Sequence, residues 1–296
     1  ICAIIEQGSA RRDAGAKIMY VELHCHSNFS FLDGASPPDR LARRAAELDM
    51  PALAITDHQG LYGAVKFQVA CRDNGIRPIF GAEITLAPQV GPDATGAPAL
   101  PGGHITLLVE SAVGWANLCR MLTEAGLAGH KRDRPVTWKQ LSDHADGLLC
   151  LTGCRDSVVA APARRGDRAS TLAAARRLAA IFGPDRCYVE LQRHLDRGDG
   201  RLCATLGALA EHLRLPVVAT NNVHYATTDD FRLQHLLCCI RERTTLDDAG
   251  TRLYATPHRH LKATAEMAGL FPDHGDAVAN SARIAERCRF ELDLSH

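Results

Sequence analysis

The sequence predicts an α/β fold in which seven strand–helix units build a parallel sheet that closes into a barrel. Between residues 20 and about 240, short apolar segments typical of buried strands alternate with longer segments of helical periodicity. Right-handed crossovers that keep one direction close such a sheet into a barrel. From about residue 245 onward the periodicity becomes purely helical, which predicts a short helical C-terminal extension.

The first half of the chain holds three of the predicted helices. One covers residues 36–50, with Ser36 as its N-cap and Pro37 in its first position. A second covers residues 60–75, and a third covers residues 112–129. The strands predicted between and around these helices are residues 20–26, 51–58, 76–86 and 104–110.

The second half continues the alternation. A long helix is predicted at residues 156–182, with a break near Gly166, and a further helix at residues 200–213. The predicted strands are residues 147–153, 187–192 and 215–225. Together with the first half, these segments complete the seven units.

The composition excludes some classes of protein. Lys+Arg and Asp+Glu balance at 34 each, so no global basic field indicates nucleic-acid binding, although a local basic groove fits a neutral total. Eleven cysteines are scattered without a CxxC pair, which is typical of reduced thiols in a cytoplasmic protein. No apolar stretch approaches the roughly 20 residues that span a bilayer. Residues 1–19 lack the pattern of a secretory signal. They are expected to be a disordered or mis-called leader, because Met19 directly precedes the first predicted strand and would suit a true start.

Histidines and carboxylates concentrate near the ends of the predicted strands. His24 and His26 share one face of the first strand with Glu22, because residues i and i+2 of a strand point the same way. Asn222 and His224 repeat this spacing at the last strand. A parallel barrel gathers its catalytic loops at the C-terminal ends of its strands. The candidates are His24, His26, Asp33, Asp57, His58, Glu83, His104, Cys154, Glu190, His194, Asn222 and His224.

Imidazole, carboxylate and thiolate ligands together suit Zn, Mn or Fe. The candidates are too many for one four-coordinate ion, which favours two or three metals that activate water for attack at phosphorus. Each residue alone has an ordinary explanation: Cys154 as a small buried side chain, Glu83 as a solvated strand-end charge, or His24 and His26 as surface residues. All of these explanations would have to hold at once, so the metal cluster is the better interpretation.

The motifs "ELHCHSNFSFLDGA", "LAITDHQGLYGAVKFQVACRDNGIRPIFGAEI" and "VVATNNVHYA" resemble the polymerase-and-histidinol-phosphatase (PHP) domain. The similarity is to the version at the N-terminus of bacterial DNA polymerase III alpha-type (C-family) polymerases, and most of all to their error-prone branch. The resemblance implies a distorted (β/α)7 barrel of the PHP type over residues 20–245. Residues 246–296 resemble the helical linker toward a polymerase thumb and palm, which are absent from this chain.

The resemblance also implies roles for the candidate residues. Catalytic roles fall on His24, His26, Asp57 and His58, with Asp57 orienting a ligand histidine, whereas Glu190 and His194 are not expected to bind metal. Asn222 stands where the family pattern has Asp, so one metal position is expected to be weaker or empty. The implied metal ligands are His24, His26, Asp33, His58, Glu83, His104, Cys154, Asn222 and His224.

The function implied is phosphoester hydrolysis, including 3′–5′ exonuclease activity, within DNA replication and damage-tolerant synthesis. The implied partners are DNA bound through the full polymerase, the rest of the polymerase chain, and other replication or damage-tolerance proteins, with no membrane. Proximity to the motifs singles out Lys66, Arg155 and Arg193 for DNA contact. Two alternatives stay open: a structural module stapled by metal without hydrolysis, and a free-standing phosphatase of the histidinol-phosphate type.

Overall fold

A curled sheet of six strands, hydrogen-bonded in chain order, forms the centre of the fold. The computed structural model describes residues 19–91, 99–128 and 134–295, so the predicted leader lies outside the described residues except for Met19. The strands are β1 (Ala52–Ile55), β2 (Arg77–Leu86), β3 (Gly103–Val109), β4 (Leu148–Leu151), β5 (Cys187–Gln192) and β6 (Val217–Thr220).

Eleven α-helices in the described ranges surround and follow this sheet. They are α1 (Pro38–Glu47), α2 (Ala64–Asp73), α3 (Ala112–Ala128), α4 (Trp138–Asp143), α5 (Ala160–Arg164), α6 (Arg168–Phe182), α7 (Asp199–Leu213), α8 (Phe231–Glu242), α9 (Leu246–Ala249), α10 (Thr264–Leu270) and α11 (Gly275–Arg287). The predicted break near Gly166 is confirmed, because this glycine separates α5 from α6 with a φ of +78°.

The segment predicted as the first strand closes the barrel without forming a regular strand. The N–H groups of Ala54 and Val223 donate to the carbonyls of Glu22 and His24, so residues 20–26 lie between β1 and the end of β6. The N–H of Cys25 donates to the hydroxyl of Thr56 instead of to a backbone carbonyl. This interruption explains why six regular strands and one irregular segment replace the predicted seven. The predicted α/β class and distorted barrel are confirmed.

The prediction of a wholly parallel sheet is wrong at β3. This strand pairs antiparallel with β2 and with β4, whereas the other pairs are parallel. Parallel neighbours need a crossover of about a dozen residues or more, usually a helix. The described residues between β2 and β3 contain no helix, so the chain returns directly along β2. The beginning of β3 therefore lies at the same edge as the C-terminal ends of the parallel strands.

The length of β2 places a carboxylate beyond the end of β1. Its residues 77–80 pair with β1, and its residues 81–86 pair with β3. Glu83 therefore lies past Ile55, the last residue of β1, and forms an isolated bridge with His58. This geometry explains why Glu83 and His104 do not follow the pattern of strand-end ligands in the sequence.

The predicted N-cap of the first helix is also wrong. Pro37 occupies the cap of α1, and the hydroxyl of Ser36 donates to Asp230 and accepts the N–H of Ala226. Ser36 thus ties the loop after β6 to the start of α1 instead of capping the helix.

The inward-facing side chains change from apolar to polar along the strands. On β2, Ile79 belongs to the interior apolar cluster, and Glu83 four residues later points to the same side. On β6, Val218 is followed two residues later by Thr220. Helix α11 covers the apolar end of the barrel and buries Ile284 there. The opposite end is left to polar and charged side chains.

The second apolar layer lies between the sheet and the outer helices, and Cys25 belongs to it. The ten cysteines in the described ranges are all free thiols. Within those ranges, no helix is both long enough and apolar enough to cross a membrane.

Candidate metal centre

Histidine, carboxylate and cysteine side chains meet at the polar end of the barrel in three interlocking groups. Within each group, the potential ligand atoms lie within 4.8 Å of one another. His26 belongs to two of the groups, and Glu83 also belongs to two. The groups are His26 with His58 and His224, His24 with His26 and Glu83, and Glu83 with His104 and Cys154.

Glu83 lies at the centre of these groups. Its Oε1 is 3.3 Å from Nδ1 of His58 and 2.5 Å from Nδ1 of His104. Its Oε2 is 2.6 Å from Nε2 of His24 and 3.7 Å from Nε2 of His26. Burial alone would raise the pKa of Glu83, but His58 and His104 hold that pKa well below its usual value. An ionised carboxylate with two accessible oxygens can bridge two cations.

Asp33 adds a second carboxylate from the loop after the first segment. Its Oδ2 is 3.0 Å from Nε2 of His58 and 3.0 Å from Nε2 of His224. Burial would raise the pKa of Asp33, but His224 and His58 lower it well below its usual value. Asp33 Oδ1 accepts from Arg241 at 2.6 Å. The structure thus brings the loop residue into the same cluster as the strand-end histidines.

Two buried atoms of predicted ligands have no hydrogen-bond partner among the described residues: Nε2 of His26 and Oδ1 of Asn222. Burial lowers the pKa of His26 well below its usual value, and the charge of His58 lowers it further. The ring of His26 therefore presents a free nitrogen lone pair to the cluster. The centroids of the His26 and His58 rings are 4.3 Å apart. A divalent metal that accepts nitrogen and oxygen ligands fits such atoms.

Asn222 and His224 are arranged by their own backbone. Asn222 has a φ of +43°, in the left-handed region that asparagine tolerates better than most residues. The Nδ1 of His224 donates to the carbonyl of Asn222 at 2.8 Å. This bond leaves Nε2 of His224 as the nitrogen that faces Asp33, with the hydroxyl of Tyr254 3.2 Å from the same nitrogen.

His104 and Cys154 complete the third group. Their Nδ1 and Sγ atoms are 3.4 Å apart, and Cys154 Sγ is 3.9 Å from Oε1 of Glu83. Burial raises the pKa of the Cys154 thiol well above its usual value, and Glu83 adds to this effect. A metal ion beside the sulfur would reverse that preference, because a coordinating thiol loses its proton.

Glu190 orients His24 from the opposite side to Glu83. Its Oε1 lies 2.7 Å from Nδ1 of His24, and its Oε2 accepts the N–H of Gly153 at 2.9 Å. Burial disfavours a charged His24, but Glu190 and Glu83 outweigh burial and raise the pKa of His24 to about 10. Glu190 therefore contacts a predicted ligand, and its own place outside the ligand set stays a prediction. The position of Glu190 at a strand end predicted that it lies in the site, but not that it orients His24.

Asp57 reaches the histidines only through Ser30. The Asp57 carboxylate accepts from the backbone N–H of Ser27 at 2.7 Å and from the hydroxyl of Ser30 at 2.7 Å. The Ser30 oxygen is in turn 3.2 Å from Nδ1 of His26. Burial raises the pKa of Asp57, and the serine contacts oppose that rise. Asp57 thus fixes the loop that leads to Asp33, while the catalytic role predicted for it stays a prediction.

A fourth group, formed by His194, Asp196 and Asp199, also brings potential ligand atoms close together. Its polar atoms are already engaged, because Asp199 accepts the N–H groups of His194 and Asp196. The Nε2 of His194 is 2.7 Å from the carbonyl of Asn221, and Asp196 pairs with Arg155. These contacts make it a hydrogen-bonded support for the loop after β5.

Arg241 and Tyr254 are the residues that sequence reasoning missed. Arg241 lies in α8 and Tyr254 lies between α9 and α10, and they contact Asp33 and His224, respectively. Neither lies at a strand end or in a spaced motif, so the sequence carries no local signal for either. The contacts of Arg241 and Tyr254 depend on how the segments after β6 pack over the polar end of the barrel.

The barrel and its cluster of histidines and carboxylates define a domain of the PHP type, and the chain belongs to the PHP domain family, whose pattern matches residues 22–194. It is 41% identical to an error-prone DNA polymerase of Symbiobacterium thermophilum, over 93% of this chain and 26% of the relative. It is 40% identical to an error-prone DNA polymerase of Mycolicibacterium paratuberculosis, over 96% of this chain and 26% of the relative.

The similarity extends to a DNA polymerase III subunit. The chain is 34% identical to the DNA polymerase III subunit alpha of Treponema pallidum, over 94% of this chain and 24% of the relative. The chain therefore spans about a quarter of the length of the curated relatives it matches. The predicted resemblance is confirmed.

A solved structure of a provisionally assigned metal-dependent phosphoesterase from Bifidobacterium adolescentis is similar at 15% identity and a TM-score of 0.46. The match covers 70% of this chain and 88% of that one.

Proposed function

We propose that this chain is the PHP module of an error-prone DNA polymerase of the DNA polymerase III alpha type, and that its metal centre hydrolyses phosphodiester bonds. The observation that carries the proposal is the set of three interlocking ligand groups. Sites with two or more metals can stabilise both the attacking and the leaving oxygen of an in-line displacement at phosphorus. The polymerase relatives support the biological setting.

The substrate we infer is the mispaired 3′ end of a primer strand, shortened in the 3′–5′ direction during damage-tolerant synthesis. Residues 20–245 would form the metal-binding barrel, and residues 246–296 would lead into the rest of the polymerase chain. DNA and that remaining chain are the partners this assignment requires.

Two or three divalent ions of Zn, Mn or Fe suit the donor set, and when bound they supply Lewis acidity at the phosphoryl group. Glu83 contacts four histidines and is the residue suited to bridge neighbouring ions. Nε2 of His58 and Oδ2 of Asp33 lie 3.0 Å apart, and these two residues would hold one side of the site. The remaining ligands we assign are His24, His26, His104, Cys154, Asn222 and His224.

Purified protein supplied with Mn²⁺ or Zn²⁺ tests this function on a 5′-labelled primer with a mispaired 3′ end. We expect stepwise shortening of the primer, abolished by His26→Ala and by EDTA. His144→Ala is the matched control, because His144 pairs with Glu124 away from the cluster. No shortening, or shortening that persists in His26→Ala, would contradict hydrolysis by this centre.

A second function, a metal-stapled support without hydrolysis, is favoured by one observation. Asn222 is buried and offers a neutral amide where the resemblance implies a carboxylate. In this case, removal of metal by EDTA would lower the melting temperature while no phosphodiesterase activity appears with any of the three metals. Hydrolysis that depends on His26 would exclude this alternative.

A further inference from the structure

An open groove with a volume of about 1370 Å³ runs along the outer helices, outside the metal centre. Its walls come from the loop after β4, from α5 and the start of α6, from the end of the loop after β5, and from α7 along most of its length. Six arginines line it: Arg155, Arg164, Arg165, Arg168, Arg197 and Arg201.

Most of this positive charge is not neutralised by the protein. Arg155 pairs with Asp196 at 3.5 Å, and Arg164 pairs with Asp156 at 3.2 Å. Among the described residues, no carboxylate lies within 4.0 Å of the other four guanidinium groups, and those four residues are exposed. Asp199, the second acidic residue of the wall, is engaged by two backbone N–H groups. The groove therefore keeps a net positive charge although the whole chain is neutral.

One end of the groove adjoins the region of the metal centre. Arg155, Asp199 and Leu202 line both the groove and a small adjoining cavity, whose wall also includes Cys154 and Glu190. Arg155 directly follows Cys154, and the loops carrying these residues leave the C-terminal ends of β4 and β5. A chain lying in the groove would thus have one end close to the metal ligands.

We propose that this groove binds the phosphodiester backbone of a single-stranded nucleic acid and leads its end toward the metal centre. The inference rests on the proposed phosphodiesterase function and names the path of its substrate. Arginine suits this task because its planar fork pairs with phosphate through two hydrogen bonds. Among the described residues, the groove walls contain no Phe, Tyr or Trp side chain on which bases could stack. Binding is therefore carried by phosphate contacts, independent of base sequence and strongly dependent on salt.

Fluorescence anisotropy of a labelled oligothymidylate, measured in EDTA, tests the groove without requiring hydrolysis. The test variant replaces four unpaired arginines at once: Arg165→Gln, Arg168→Gln, Arg197→Gln and Arg201→Gln. We expect binding at low salt to weaken at least about tenfold, and the slope of log affinity against log salt to fall by about 3, at about 0.7 for each lost single-strand phosphate contact. The matched control carries the same change of charge elsewhere: Arg43→Gln, Arg72→Gln, Arg232→Gln and Arg283→Gln.

The outcomes separate this inference from the proposed function. Equal binding by the groove variant and the control variant would overturn the groove assignment, whether or not the chain hydrolyses DNA. Displacement of the oligonucleotide by polyglutamate as readily as by an unlabelled oligonucleotide of equal charge would overturn the choice of nucleic acid. His26→Ala is expected to keep oligonucleotide binding while it abolishes hydrolysis. The binding measurement therefore tests the groove even if the chain does not hydrolyse DNA.

Discussion

Asn222 is the proposed metal ligand that offers a neutral amide where the family pattern has a carboxylate. Its side chain is buried, its Oδ1 has no hydrogen-bond partner among the described residues, and its φ is +43°. Aspartate tolerates the same left-handed backbone, so a carboxylate can replace the amide without strain.

We expect Asn222→Asp to tighten the binding of one metal ion at least about tenfold, because a buried carboxylate attracts a divalent cation more strongly than an amide does. Titration of the metal-free protein with Mn²⁺ or Zn²⁺ in a competing chelator measures this change, and elemental analysis counts the ions bound. An unchanged affinity would place Asn222 outside the set of ligands.

Asn221→Asp is the matched control, because the neighbouring amide has a structural role. The Nδ2 of Asn221 donates to the carbonyls of His258 and His260. An aspartate there would set a carboxylate against two carbonyl oxygens. We therefore expect this variant to lose about 2 kcal/mol or more of stability without any gain in metal affinity.

Glu190→Gln tests whether the partner of His24 tunes the metal centre. Removing the charge next to Nδ1 of His24 weakens the hydrogen bond that fixes the ring. We expect about a 10- to 100-fold loss of metal affinity, as is usual for residues that orient ligand histidines, with the fold retained. Glu110→Gln, which affects a carboxylate paired with Arg287, serves as the control in the same titration. Equal affinities for the two variants would show that the charge of Glu190 does not tune metal binding.

The sequence predicted some of these residues and could not have predicted others. The i, i+2 spacing of His24 and His26, repeated at Asn222 and His224, marked both segments in the sequence, although neither segment is a regular strand in the structure. Arg241 meets Asp33 across 208 residues of chain, and no local pattern records such a contact.

The elements show a similar division. The apolar segments of the sequence predicted the positions of the strands, because burial selects apolar residues. An apolar segment carries no information about the direction of a strand in the sheet. The antiparallel course of β3 is seen in its pairing with both neighbours, and the described residues between β2 and β3 contain no helix. That course, in turn, is what brings His104 to the mouth of the barrel.

The segment between α9 and α10 contains two buried cations that the sequence did not single out. Arg259 is 1% exposed and stacks on Tyr254, 3.9 Å from the ring centroid. Lys262 is 3% exposed, and its ammonium donates to the carbonyl of His258. Burial lowers the pKa of Lys262 to about 8, although Glu266 and Glu22 oppose this shift.

Lys262→Met should reveal the cost of this buried charge as a pH-dependent difference in stability. The unfolded chain holds the lysine proton up to a higher pH than the folded chain does, so the cost is largest below about pH 8 and declines toward pH 10.5. We expect the advantage of the variant over the parent protein to shrink by about 2 kcal/mol between about pH 7 and about pH 9.5. Urea unfolding at several pH values measures it.

Comparison with the parent protein is necessary because the cysteine thiols of the unfolded chain also titrate in this range. Lys139→Met provides the control, since Lys139 is exposed and pairs with Asp143. Its stability difference from the parent should stay nearly constant over the same pH range. A constant difference for Lys262→Met as well would show that Lys262 is not buried as a charge.

At the scale of the whole molecule, the apolar end of the barrel interior stabilises the fold, and the polar end holds the candidate metal ligands. The apolar end is covered by α11, whose Ile284 packs with side chains from the strands. Ser281 and Asn280 of the same helix accept the N–H of Val21 and donate to the carbonyl of Val217, respectively. The sequence predicted this region as a helical linker. The periodicity showed an apolar face but not which surface that face covers.

Ile284→Ala tests whether α11 is part of the barrel or only a connection to another domain. A buried isoleucine truncated to alanine loses its transfer energy and leaves a cavity, at a cost of about 2–5 kcal/mol. For a chain of this size, we expect the melting temperature to fall by about 5–15 °C. Glu286→Ala, on the exposed side of the same helix, should change it little. If both variants melt like the parent, α11 does not stabilise the barrel and the boundary predicted near residue 245 separates two independent parts. If only Ile284→Ala melts early, the folding unit that holds the metal centre extends through α11.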